Sequence, residues 1–147
     1  MNRKSVPQSF IFILLAIGLP YFSMGQEMEN RTTPPGKGIL KITLVKAVMS
    51  EGIKDNQPFN ETVVFSKTIR EVFCFTIFDP VPESSFIYHK WFFRDALNRT
   101  TKLSVNPPRW STYSSMDVRD SDKGPWHVEI TDSQGNILKI LRFSIVE

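Results

Sequence analysis

Hydrophobic and polar residues alternate along much of the chain after residue 39, which is the pattern of β-strands that bury one face. The segment 71–78 is instead apolar on both faces, and this predicts a central strand that is buried on both sides. No segment after residue 25 shows sustained helical spacing. The pattern predicts an all-β domain over residues 39–147, an immunoglobulin-like antiparallel β-sandwich of about seven or eight strands.

Proline, glycine and Asn/Asp residues divide the predicted strands. Gly52, Asp55-Asn56 and Pro58 predict a loop over residues 51–60. Alternation slips within the last strand, which predicts a β-bulge near Leu141. The predicted strands are residues 40–48, 62–65, 71–78, 86–94, 100–105, 109–116, 126–131 and a closing strand that follows a turn at 132–136.

Three tryptophans lie in three different predicted strands of the C-terminal part of the chain. Each large aromatic side chain removes on the order of 150–250 Å² from water when it is buried, so these residues favour an aromatic-centred core. We assign Cys74, Trp91, Trp126 and Phe143 to that core. Trp110 has two possible roles, a core residue or an exposed platform for a ligand.

Residues 1–25 have the features of a secretory signal peptide. Arg3 and Lys4 are cationic, and the apolar stretch 10–19 predicts a signal helix. A membrane span needs about 20 apolar residues, so a permanent anchor is the weaker alternative. We expect cleavage after residue 25, a flexible linker over residues 26–38, and an exported protein, periplasmic or secreted, without a stable membrane span.

The charge balance argues against a nucleic-acid-binding protein. The chain has 18 basic and 15 acidic residues, and removal of the predicted signal peptide leaves 16 basic and the same 15 acidic residues. Nucleic-acid-binding domains concentrate basic residues on one face, and this near balance gives no such excess.

The chain has one cysteine, Cys74, and therefore cannot form an intrachain disulfide. In an oxidising compartment a lone cysteine is either buried and inert or a route to a covalent dimer. Because Cys74 lies in the segment that is apolar on both faces, we expect a buried thiol.

Motifs for catalysis and cofactor binding are missing from the sequence. The chain has no Gly-x-Ser-x-Gly nucleophile elbow and no glycine-rich loop that opens a helix. The best conceivable metal ligands are His89, His127 and Glu129, but the sequence does not bring their strands together. We therefore expect no metal and no cofactor, and an enzyme is the least favoured class.

The candidate ligand-binding residues are His89, Arg109, Trp110 and Tyr113. His89 shares a strand face with apolar residues, which favours a core histidine that donates to a backbone carbonyl; a binding or pH-sensing role is the alternative. Arg109, Trp110 and Tyr113 follow a proline break and offer stacking and charge to a sugar or a peptide.

Several segments carry a resemblance to a known family. They are His89-Lys90-Trp91-Phe92, the run Pro-Arg-Trp-Ser-Thr-Tyr-Ser-Ser at 108–115, the run Gly-Pro-Trp-His-Val-Glu at 124–129, and Asp132 to Gly135 followed by Leu138, Phe143 and Ile145. With this ordered series, residues 40–147 resemble the bacterial domain of unknown function family 2914, which often has tyrosine in place of Phe92. The resemblance implies an exported or membrane-tethered bacterial module and brings no known activity, ligand or catalytic residue.

Two functional hypotheses follow. In the first, a non-catalytic module makes contact with another protein of the bacterial envelope, through exposed strand edges that accept a partner strand. In the second, the module binds carbohydrate or peptidoglycan through its exposed aromatic residues. The expected partner is accordingly an envelope protein or a cell-wall glycan.

Overall fold

The computed structural model describes residues 41–147, and this part of the chain is all-β, as the alternation predicts. The predicted signal peptide with its helix and nearly all of the region before the first strand lie outside the described residues. Among residues 41–147, no helix is long and apolar enough to cross a membrane. The strands are β1 (Leu44–Lys54), β2 (Gln57–Glu61), β3 (Val64–Ser66), β4 (Glu71–Phe78), β5 (Ser85–Phe93), β6 (Ala96–Val105), β7 (Trp110–Asp117), β8 (Gly124–Thr131) and β9 (Ile137–Val146), with a 3₁₀ turn at Asp120–Asp122.

These strands form two sheets, a four-stranded sheet in the order β2-β1-β4-β7 and a five-stranded sheet in the order β3-β9-β8-β5-β6. The neighbours pair antiparallel except β3, which runs parallel to β9. Two predictions are corrected here. The described residues contain nine strands rather than seven or eight, and one pairing is parallel, since β3 follows β2 into the second sheet and runs in the same direction as β9.

The two sheets pack face to face around one apolar core, to which both contribute side chains. Phe143 contacts three aromatic rings there. It meets Phe65 and Trp91 edge to face, with ring centroids 5.7 and 6.0 Å apart, and stacks with Trp126 at 6.1 Å. Aromatic pairs contribute about 0.5–1.5 kcal/mol beyond their burial. Cys74 is also fully buried, so the four side chains assigned to the core from the sequence all lie between the sheets.

Residues 51–60 were predicted to be a loop, and that prediction is wrong. They form most of a β-hairpin, in which the end of β1 pairs with β2 and a two-residue turn at Asp55-Asn56 joins the strands. Both turn residues have positive φ, 50° and 56°. Asp and Asn adopt this left-handed conformation more readily than other non-glycine residues, and paired positive φ values match the twist of a hairpin.

The β1–β2 hairpin folds back over the outer face of the four-stranded sheet. The Asn56 side chain at its tip donates to Ser111 Oγ on β7, at 2.8 Å. Ser111 pairs with Ile77 of β4, which pairs with Lys46 near the start of β1. Ten extended residues from Lys46 to Asn56 would cover about 30 Å, so β1 must bend back to make this contact. Phe75, on the same face of β4, is fully buried.

The predicted β-bulge in the last strand is present but displaced. The pairing of β8 with β9 is regular from Gly124 to Ile130 and then shifts, so that Leu138 is the unpaired extra residue rather than Leu141. Leu141 instead lies opposite Val128 in regular register. The bulge turns Leu138 towards the core and leaves Ile140 on the outer face, 39% exposed.

Candidate functional site

The residues proposed for ligand binding on β7 do not form one continuous surface. Trp110 and Tyr113 are 38% and 43% exposed, but they are three positions apart and so lie on opposite faces of the strand. Tyr113 is on the outer face beside Phe73, with ring centroids 5.9 Å apart. Arg109, just before β7, forms an exposed ion pair with Asp79 at 3.2 Å.

His89 lies between the two sheets and is fully buried, so it contributes nothing to the surface near Arg109 and Trp110. The histidine was predicted to donate to a backbone carbonyl. Its partners are hydroxyl groups instead: Nδ1 lies 2.8 Å from Ser114 Oγ, and Nε2 lies 3.4 Å from Thr76 Oγ1. Both hydroxyls belong to the opposite sheet, so the ring links the two layers.

The neighbouring hydrogen bonds define the direction of this network. Thr76 Oγ1 donates to the carbonyl of Thr112 at 3.2 Å, so its oxygen accepts from the Nε2–H of His89. Trp91 Nε1 donates to Ser114 Oγ at 3.1 Å, which leaves the Ser114 hydroxyl proton for His89 Nδ1. Every donor then has an acceptor when the imidazole is neutral. Burial lowers the pKa of His89 to about 3, and the neutral ring, bonded at both nitrogens, links the two sheets.

The metal ligands considered from the sequence do not converge. His127 and Glu129 share the outer face of β8, with Nε2 and Oε1 3.9 Å apart, whereas His89 is on the inner face of β5. His127 stacks on Phe92 at 4.5 Å and also approaches Asp95, at 3.7 Å. Within residues 41–147, no three metal-ligating side chains are placed to hold an ion.

One side of the molecule has strand edges without a partner strand among the described residues. β2 pairs with β1 only over Ser50–Lys54, so the first half of β1 is open on the side away from β4. β3 pairs with β9 only over Ser144–Val146, so residues 137–143 of β9 are open on the side away from β8. The two open edges face each other across the side of the molecule.

Between these edges lies a groove, here called the β1–β9 cleft. It consists of two adjoining openings of about 410 and 370 Å³ that share Ala47. Its apolar side chains reach the core: Leu44, Ala47, Leu138 and Leu141 are half-buried and pack against it. The residues that line the cleft are 44–49 of β1, 61–63, and 138, 139, 141 and 142 of β9.

The rim of the cleft is basic. Lys139 and Arg142 are exposed there, and within the described residues neither has a carboxylate within 4 Å. Glu61, the acidic residue of the lining, is paired with Lys46 at 2.7 Å. The sequence predicts exposed strand edges in general but not this cleft, because its position depends on which strands become neighbours.

Comparison with known proteins agrees with the tryptophan pattern. Residues 84–145, from the β4–β5 connection into β9, match the model of a family described as "Protein of unknown function (DUF2914)". This part of the chain, less than half of its length, is similar to that family. The match confirms the predicted resemblance over a shorter range than residues 40–147, and the description assigns no activity to the family. No curated protein matches the chain.

Proposed function

We propose that this chain is an exported, non-catalytic module of the bacterial envelope, with an immunoglobulin-like β-sandwich fold, that acts by contact with another protein. The observation that carries the proposal is the β1–β9 cleft, in which two open strand edges flank apolar side chains of the core. Open edges present unpaired N–H and C=O groups, and proteins commonly recognise extended segments by adding them to such an edge.

The contact is tested in the cells that make the protein. A photo-crosslinking amino acid is placed at Val63, which lines the cleft and is 60% exposed. The matched control position is Leu97 on β6, which is 57% exposed at the far edge of the five-stranded sheet. We expect a discrete protein adduct from position 63 and none from position 97. If no protein is captured above the uncrosslinked background from position 63, the proposal is wrong.

Export is a separate part of the proposal and rests on the sequence of residues 1–25. Cationic residues, an apolar stretch and small residues follow one another there in the order of a signal peptide. Cell fractionation with N-terminal sequencing tests it. We expect the protein outside the cytoplasm with Gln26 as its first residue, and a cytoplasmic protein that retains Met1 would contradict export.

A second candidate function is binding of carbohydrate or peptidoglycan. It is favoured by Trp110, whose side chain is 38% exposed and could stack on a sugar ring. The other two tryptophans, Trp91 and Trp126, are 0% and 2% exposed. A glycan that stacks on Trp110 should therefore change the fluorescence of one exposed indole. A saturable change with cell-wall glycans that is lost in Trp110→Ala, while the unfolding transition is retained, would favour this function; an unchanged spectrum would count against it.

A further inference from the structure

We infer that the β1–β9 cleft binds an extended segment of a partner protein, in which apolar side chains alternate with acidic ones and which pairs with the open edge of β9. This inference rests on the proposed function and adds to it the chemistry and the geometry of the partner. Three observations carry it. The first is the strand position beside residues 137–143 of β9 that β3 leaves unoccupied, here called the open row. The others are the two faces of a strand in this position and the charge around the cleft.

The partner segment would lie in line with β3, beside the part of β9 that β3 does not cover. β3 covers three residues at the C-terminal end of β9, and the Ser144 amide donates to the Val63 carbonyl at 3.0 Å. N–H groups alternate in direction along a strand, so the amides of Ile140 and Arg142 point to the same side as that of Ser144. In the described chain these two amides face the open row. The open stretch 137–143 is about 20 Å long and accommodates roughly seven partner residues.

The two faces of this row differ in chemistry. A strand placed beside β9 turns alternate side chains towards Ala47, Leu138 and Leu141, which are half-buried in the cleft. The remaining side chains turn outwards beside Arg142 and the outer face of the sheet. Alternation of apolar and polar residues is therefore the pattern that the cleft selects.

The charge of the rim selects the polar residues of the segment. Arg142 lies on the outer face of β9 beside the open row, and Lys139 lines the cleft on the other face, while Glu61 is already paired with Lys46. Acidic side chains gain an opposite charge here, whereas basic side chains would meet like charge. A strand in which acidic and apolar residues alternate thus fits both the pattern and the charge. A second copy of this chain would have to supply such a strand in order to occupy the cleft.

The probe is a capped nine-residue peptide in which Glu and Val alternate, added to the protein expressed from its complete sequence and purified as the cell processes it. We expect saturable binding with slower hydrogen exchange at the Ile140 and Arg142 amides. A peptide that alternates Lys and Val, and a Glu/Val peptide of the same composition in block order, should bind at least about tenfold more weakly. Equal binding of the three peptides would overturn the inference.

Backbone pairing is distinguished from side-chain contact by N-methylation of the peptide. One analogue carries N-methyl groups on its valines and the other on its glutamates. Because alternate amides of a strand point to opposite edges, pairing with β9 requires that only one of the analogues lose binding, by about tenfold or more. Equal effects of the two N-methylations would contradict strand addition.

Charge-reversal variants locate the peptide. Arg142→Glu should weaken the Glu/Val peptide at least about fivefold and strengthen the Lys/Val peptide. Lys102→Glu on β6, the opposite edge of the same sheet, is the matched control and should change binding less than about twofold. Equal effects of the two variants would place the peptide elsewhere and overturn the inference.

The outcomes separate this inference from the proposed function. If position 63 captures a protein but the peptide does not bind, the module contacts a protein by another chemistry and the inference fails alone. If the peptide binds as expected but no protein is captured, the proposed function fails. Protection of the Ile140 and Arg142 amides in a concentration-dependent dimer without peptide would assign the cleft to a second copy and overturn the inference.

Discussion

A continuous run of hydrogen bonds crosses the core, and each donor in it has one acceptor. It joins Trp91, Ser114, His89, Thr76 and Thr112 in that order. Such a run is compatible with burial because no polar atom in it is left without a partner. It also links the two sheets at fixed positions. At the residue scale, this network is where the chain departs most from a purely apolar core.

Ser114 is the residue of the network whose loss leaves the most groups unpaired. Ser114→Ala removes the acceptor of Trp91 Nε1 and the donor to His89 Nδ1, and each unsatisfied buried group costs about 1–3 kcal/mol. We expect the free energy of unfolding to fall by roughly 2–6 kcal/mol in urea titrations. Ser115→Ala, whose side chain points to the outer face, should change it by less than about 0.5 kcal/mol. Similar losses in both variants would contradict this role.

His89 predicts a pH dependence of stability. Burial lowers its pKa to about 3 in the folded protein, whereas an unfolded histidine titrates near 6.5. Between these values the unfolded state binds the extra proton, so the free energy of unfolding decreases as the pH falls from about 6.5 towards 3, by at most about 1.4 kcal/mol per pH unit. Above about pH 6.5 this contribution is constant. In urea titrations across this range, His89→Gln should show a flatter dependence, and an equal slope would mean that His89 is not the responsible group.

At the scale of elements, the β1–β2 hairpin depends on its two-residue turn and on one side-chain bond. Asp55 and Asn56 both have positive φ, and the Asn56 amide group bonds Ser111 across the outer face of the sheet. The hairpin therefore closes over β4 through a contact between residues far apart in sequence. A side chain with a stronger preference for negative φ would disturb both features.

Two substitutions of Asn56 separate the turn from the bond. Asn56→Gly keeps the left-handed backbone and removes the bond to Ser111, while Asn56→Ala disturbs both. We expect the alanine variant to be less stable than the glycine variant by roughly 1–2 kcal/mol. Hydrogen exchange at Gly52 and Phe59, which pair in the hairpin, measures the opening. Equal exchange in both variants would show that positive φ is not what limits the turn.

Most strands could be predicted because their pattern is local. The strand 71–78 was predicted with its observed bounds, and the segments around Trp91 and Trp126 differ from the prediction by only one or two residues. The hairpin was missed because Asp55, Asn56 and Pro58 favour loops and turns equally in a single sequence. The parallel pairing of β3 and the bulge at Leu138 depend on neighbouring strands, which alternation within one strand does not reveal.

At the scale of the whole molecule, the packing of two sheets isolates Cys74 from solvent. The thiol is fully buried, and desolvation raises its pKa far above the usual range. Because the thiolate is the reactive species, burial and this pKa both suppress disulfide formation. The lone cysteine therefore stays a core residue even in an oxidising compartment.

Thiol labelling tests this isolation. We expect the folded protein to react with iodoacetamide roughly 100-fold more slowly than the protein in concentrated urea, and to migrate as a monomer on non-reducing gels. Labelling of an unfolded sample at the same pH is the control. A dimer that reducing agent dissolves would show that Cys74 reaches the surface.

The candidate site illustrates the same division between local and global information. Exposure of Trp110 and Tyr113 and burial of His89 are consistent with their strand patterns, but the distance of His89 from the surface near Arg109 and Trp110 depends on how the two sheets pack, which the pattern of one strand does not reveal. The β1–β9 cleft exists only because β2 and β3 are too short to cover their neighbours. Its residues come from distant segments of the chain, so no local motif identifies it.

The hydrogen-bond run through His89 has an evolutionary consequence. A leucine at position 89 would leave the buried Ser114 hydroxyl proton without its acceptor and Thr76 Oγ1 without its donor, so His89 cannot be replaced by an apolar residue independently of its two partners. Positions 76, 89 and 114 should accordingly be inherited together, or exchanged together for apolar residues, in proteins that share this fold.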